Sequence, residues 1–102
     1  MSIKRKMIMS NLNTESVVVI HSAFEKTPRT VAMVEVPADV SLNQKLEIAF
    51  EKTNSIDCAW WDNEGVTPMF PDINVCRSTS VGDMVLVGNV KWACKSDGWK
   101  KV

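Results

Sequence analysis

The side chains of this sequence that could do chemistry are three cysteines, one histidine and a scatter of carboxylates. Cys58, Cys76 and Cys94 are odd in number and form no C-x-x-C pair. Neither a disulfide framework nor a zinc knuckle is expected from them, and reduced, mostly buried thiols are the plain reading. Their equal spacing of eighteen is not a repeat, because the flanking residues share nothing. His21 would act as general base for a thiolate only within hydrogen-bond reach of a cysteine. No family signature surrounds any cysteine, and a histidine closing a Val-rich run reads as a partly buried structural residue. Asp57, Asp62, Glu64, Asp72 and Asp83 would have to converge to hold a cation, yet Asp62-Asn63-Glu64-Gly65 lacks the alternate-residue ligands of a calcium loop. Turn-forming and solvated acids are the expectation. Arg77-Ser78-Thr79-Ser80-Val81-Gly82-Asp83 contains neither the G-x-S-x-G elbow nor a G-x-x-x-x-G-K-[ST] phosphate loop. Its expected role is structural, with hydroxyls bonding nearby backbone, Gly82 supplying a free φ and Asp83 opening a strand. No catalytic residue, cofactor or metal ligand is therefore assigned, and an enzyme is not expected.

Chemistry of contact is better represented. Residues 55–80 form a connection roughly twice the ordinary length and hold Trp60, Trp61, Pro68, Phe70 and Pro71. Successive side chains of an extended segment alternate, so Trp60 and Trp61 cannot both point inward unless that segment is helical. At least one ring is expected at the surface, and Trp60, Trp61, Phe70 and Trp99 are the candidate binding residues. Lys91, Trp92, Lys95, Trp99, Lys100 and Lys101 also interleave cations with aromatics, as single-strand nucleic-acid surfaces do. The balance of twelve basic against twelve acidic residues argues against binding by bulk charge, so a protein partner is expected ahead of RNA or DNA.

These residues need elements to position them. Ser16 to His21 is a β-branched run suited to a strand buried on both faces, and Thr30 to Val36 is a second. The polar Phe24-Glu25-Lys26-Thr27-Pro28-Arg29 between them reads as a hairpin connection. Ser41 followed by Gln44 predicts a capping box, and Leu42, Leu46, Ala49, Phe50 and Thr53 lie on one face of a helix ending near Asn54. Val81 to Cys94 contains two strand patterns around the two-residue Gly88-Asn89 turn. Pairing Val87 with Val90 sets Val85 opposite Trp92 and Asp83 opposite Cys94, so Val85, Val87, Val90, Trp92 and Cys94 share the core face. Trp92 is thereby separated from Lys91 and Lys95. After a turn at Ser96-Asp97-Gly98, Trp99 is expected to fold back and close one end of the core.

At 102 residues, 45% apolar and 24% charged, the chain describes one ordinary domain able to bury roughly two thirds of its extended surface. Residues 1–14 read as a basic and polar arm, and 15–102 as a single domain. The arm lacks a secretory apolar run and no membrane span is present, so cytoplasmic residence is expected.

The order L-E-x-A-F-E-K-x-N at Leu46 to Asn54, then R-S-T-S-V-G-D-M-V, a hairpin and G-W-K-K-V is similar to YodL-like domains and related small proteins of phages and mobile elements. Ser78, Ser80, Val81, Asp83, Gly98 and Trp99 carry the resemblance, which covers about half the chain. It implies a small accessory protein and no established active site. The expected fold is α+β: an N-terminal hairpin, one amphipathic helix and a C-terminal hairpin in a small curved antiparallel sheet that could close into a barrel. The expected function is macromolecular binding without catalysis, through the tryptophan loop and an adjacent sheet edge. Exposed edges also make a homo-oligomer an expectation. A barrel-like nucleic-acid module is the second reading and an enzyme the third.

Overall fold

The structure, a computed structural model, describes residues 13–55, 58–69 and 76–102. Strand β1 (Thr14–His21) and strand β2 (Arg29–Pro37) form the N-terminal hairpin. The valine run works by alternation: Val17 and Val19 are fully buried on the core face, and Ile20 is buried on the other. A bulge breaks the register between Val19, opposite Ala32, and Ile20, opposite Thr30. Val31 is the extra residue, and its carbonyl accepts from the Met69 N–H at 2.8 Å, so the irregularity is satisfied. Of the expected arm, residues 1–12 lie outside the described residues, and Thr14 already belongs to β1.

Helix α1 (Leu42–Lys52) begins as its sequence predicts. The Ser41 hydroxyl accepts from the Gln44 N–H at 3.1 Å, while Gln44 Oε1 accepts from the Ser41 N–H at 3.3 Å. Leu46, Ala49 and the capping residue Thr53 are buried. Leu42, expected on the buried face, is 39% exposed at the first residue of the helix. Lys45 holds α1 to β1 through Glu15 at 2.7 Å.

The long connection is not a plain loop. Trp60–Asp62 forms a 3₁₀ turn, and Val66–Pro68 adds as β3 to the outside of β2. Strands β4 (Met84–Val87) and β5 (Val90–Lys95) pair in the register derived from their turn, with Val87 opposite Val90 and Val85 opposite Trp92. Gly88 has φ +63°, the left-handed conformation such a tight hairpin requires. Beyond the Ser96-Asp97 turn the chain forms a sixth strand, β6 (Gly98–Lys101), where only a folded-back tryptophan was expected.

The sheet order is β3-β2-β1-β4-β5-β6, antiparallel throughout. It stays open, which corrects the expected barrel closure. Helix α1 and the Trp60 ring bury the core face instead, leaving the short strands β3 and β6 as opposite edges. Among the described residues no helix is long and apolar enough to cross a membrane.

Candidate functional site

Antiparallel order gathers functional groups at one end of the sheet. There β1 ends, β2 and β4 begin, β5 ends and β6 begins, so residues 22–28, 76–83 and 96–97 all connect strands at that end.

Asp83 is the hub. Its fully buried carboxylate accepts from the N–H groups of Ser22 (2.8 Å), Ala23 (2.9 Å) and Ser80 (2.7 Å). Arg77 adds a bidentate pair, Nη1 to Oδ2 at 2.7 Å and Nη2 to Oδ1 at 2.8 Å. Burial alone would push this carboxyl up, but the Arg77 guanidinium and the three backbone donors more than offset it and hold it at about 2, against a usual 3.8. The Arg77 fork also binds Glu25, with Nη2 2.8 Å from Oε1, and its guanidinium lies 4.8 Å from the Phe24 ring centroid. Gly82 has φ +101°, and a Cβ there would stand 2.9 Å from that of Ala23, so the two turns lie too close for a side chain at this position.

A second buried chain runs beside the hub. Thr53 Oγ1 donates to the Ala49 carbonyl at 2.8 Å, and Thr79 Oγ1 donates to Thr53 Oγ1 at 2.7 Å. Thr79 Oγ1 must therefore accept from His21 Nε2, 3.0 Å away, which puts the proton of the neutral ring on Nε2. His21 Nδ1 is buried and has no hydrogen-bond partner among the described residues. Burial lowers the His21 pKa, with the nearby Arg77 and Arg29 charges adding to the effect and those of Asp83, 3.9 Å away, and Glu25 opposing it.

These shifts make stability pH-dependent with one sign. The unfolded chain binds protons that the folded one refuses, first at His21 below its ordinary value near 6.5 and then at Asp83 between about 4 and about 2. Stability is therefore full near neutrality and declines as pH falls through each range. Asp83 contributes about 2 kcal/mol of that loss, and Glu25, also lowered by its hydrogen bond to Arg77, adds in the same direction. Urea midpoints at pH 7, 5 and 3 are expected to fall stepwise, and equal midpoints at pH 7 and 5 would contradict a buried neutral imidazole.

His21 thus bonds a threonine and not a cysteine. Burial raises the thiols of Cys76 and Cys94, and Arg29 Nη2 lies 3.8 Å from the Cys76 sulfur. Among the described residues no group of three His, Cys, Asp or Glu could hold a metal ion. Asp57 and Asp72 lie outside the described residues.

Of the expected aromatic residues, Trp60 and Trp61 meet ring to ring, while Trp99 meets Phe50. Trp60 is corrected from contact residue to core: its ring is 0% exposed, and Nε1 donates to the carbonyls of Cys76 (3.2 Å) and Arg77 (3.0 Å). The 3₁₀ turn, the helical exception to alternation, permits this. Trp61 is half-buried, edge-on to Trp60 with centroids 5.6 Å apart, and packs against the core. Phe70 lies outside the described residues. Trp99 stands on β6, edge-on to Phe50 at 6.2 Å, with Nε1 donating to Glu47 Oε2 at 3.0 Å. Shallow depressions flank its ring, one reaching Phe50 and Cys94, the other Ser96 and Lys100, and both include Val81 and Lys95.

Among the described residues, the exposed apolar side chains at this end that escaped sequence reasoning include Phe24 and Val81. Phe24 is 73% exposed and Val81 is 50% exposed. The signal for Phe24 was available: it is the one aromatic in an otherwise polar connection. Compared with known family models, curated proteins and solved structures, the chain matches none.

Proposed function

We propose that this chain is a small accessory protein of the phage or mobile-element type, acting in the cytosol by binding another protein without catalysis. The contact surface in this reading is the end of the sheet that carries Phe24, Val81 and Trp99. One observation carries it: Phe24 is mostly exposed yet held, its ring against Arg77 and the N–H of the preceding residue on the Asp83 carboxylate. An aromatic ring presented on tethered backbone loses little conformational entropy when a partner covers it, which is the character of an interface anchor. Resemblance to YodL-like domains supports the accessory role, and its residues have structural work here: Ser80 and Asp83 close the turn, and Ser78 Oγ accepts from the Ser55 N–H at 2.9 Å. A non-catalytic reading is supported by polar groups turned on one another, with His21, Thr53, Thr79 and Asp83 all buried. Three free cysteines suit a reducing compartment.

A nucleic-acid reading is favoured by the exposed Lys91, Lys95 and Lys100, which register places on one face of β5 and β6. Trp99 lies on the opposite face, so these cations and that ring do not form one stacking platform.

A photo-reactive phenylalanine analogue at Phe24 or at Val81 tests the two readings in the producing cell. The expected result is an adduct to the same protein from both positions and none from Leu42 on α1. Adducts to nucleic acid alone, or equal yields from Leu42, would overturn the protein-binding reading.

A further inference from the structure

Resting on that protein-binding reading, we infer that the partner contributes an extended segment, alternating acidic and apolar residues, that adds as a seventh strand to the outer edge of β6. Strand β6 is last in the sheet, and among the described residues no strand pairs with its outer side. The phase of its backbone follows from two bonds. The Val102 N–H donates to the Lys91 carbonyl at 3.0 Å, so Val102 and, by alternation, Lys100 and Gly98 turn their backbone groups toward β5. The Cys94 N–H donates to the Asp83 carbonyl at 2.8 Å, so Cys94 faces away from β6, as this phase requires. Trp99 and Lys101 are left with their N–H and C=O directed outward. Two such residues, separated by one inward-bonded residue, are the template for an added antiparallel or parallel strand.

Charge selects among possible occupants. Lys95, Lys100 and Lys101 are exposed around this edge, with Asp97 in the adjoining turn the one acid of residues 90–102. A second copy of β6 would bring these lysines against their own equivalents, which disfavours pairing of the chain with itself there. An acidic strand meets the opposite condition. Side-chain alternation sets the rest of the pattern. Trp99 lies on the face of α1, beside the depressions that include Phe50 and Val81, whereas Lys100 lies on the other face. Every second residue of the added strand would be apolar toward Trp99, and those between would be acidic toward Lys100 and Lys95.

The probe is a capped eight-residue peptide of alternating Glu and Val, titrated into the full chain at low salt by fluorescence polarisation and amide NMR. Binding is expected with slowed exchange at the Trp99 and Lys101 amides. N-methylation of one alternate set of peptide residues should weaken binding at least about tenfold, by loss of the ladder bonds. Methylation of the other set should leave it nearly unchanged. The K100E/K101E variant should also lose at least about tenfold, and a Lys-Val peptide should not bind. The inference is overturned if both methylated peptides bind alike, if Lys-Val binds as well as Glu-Val, if protection appears away from β6, or if light scattering shows a dimer that K100E/K101E alters. Absent peptide binding with persistent protein adducts at Phe24 and Val81 refutes this docking mode alone. Loss of those adducts refutes the reading on which it rests.

Discussion

Asp83→Ala is expected to cost the fold about 3–5 kcal/mol, the range for removing one partner of a buried ion pair. The carboxylate is fully buried and accepts from three backbone N–H groups and both terminal nitrogens of Arg77. Removing it leaves the Ser22, Ala23 and Ser80 donors without their acceptor and the guanidinium with half its counter-charge. For a domain whose total stability is about 5–15 kcal/mol, that is about a fifth or more of the whole. Glu25→Ala supplies the contrast. Glu25 meets the same arginine at 2.8 Å, but its side chain is 22% exposed, and the expected loss is only about 1 kcal/mol or less. Urea unfolding of both variants checks the difference. A loss below about 1 kcal/mol for Asp83→Ala would show that water replaces the carboxylate and that the hub is not the anchor of residues 22–28.

Trp60→Ala should be of similar size, about 3–5 kcal/mol, as for other large-to-small changes in a packed core. Its ring sits beside His21, with centroids 6.5 Å apart, and beside Trp61, and its N–H bridges the carbonyls of Cys76 and Arg77. Loss of the ring therefore opens a cavity and also releases the segment that leads to Asp83. Trp60→Phe separates the two effects, since it retains most of the volume and removes the donor. It should recover more than half of the lost stability. Thermal unfolding reads the difference directly, because 1 kcal/mol shifts the midpoint of a domain this size by roughly 4–8 °C. A Trp60→Ala midpoint within a few degrees of the parent would contradict its place in the core. Such a result would return Trp60 to the contact role first expected for it.

What was legible in the chain alone was local. Ser41 and Gln44 are three residues apart, and a cap depends on nothing more distant. Gly88-Asn89 forces a two-residue turn, and a two-residue turn forces the register of every pair behind it, including Val85 with Trp92. Two runs of β-branched residues placed β1 and β2 for the same reason, although the bulge at Val31 was invisible because nothing in the sequence marks it. Strands β3 and β6 are three and four residues long, too short for a period to declare itself, and each exists because a neighbouring strand offers it a ladder. The candidate site was hidden by distance along the chain. Asp83 binds the Ser22 backbone across 61 residues, and Thr79 reaches His21 across 58. Sequence patterns therefore announced a single-helix α+β domain with an aromatic-bearing long connection. Which rings are spent inside it and which stand free was settled by long-range packing, because burial belongs to the assembled sheet and not to any one segment.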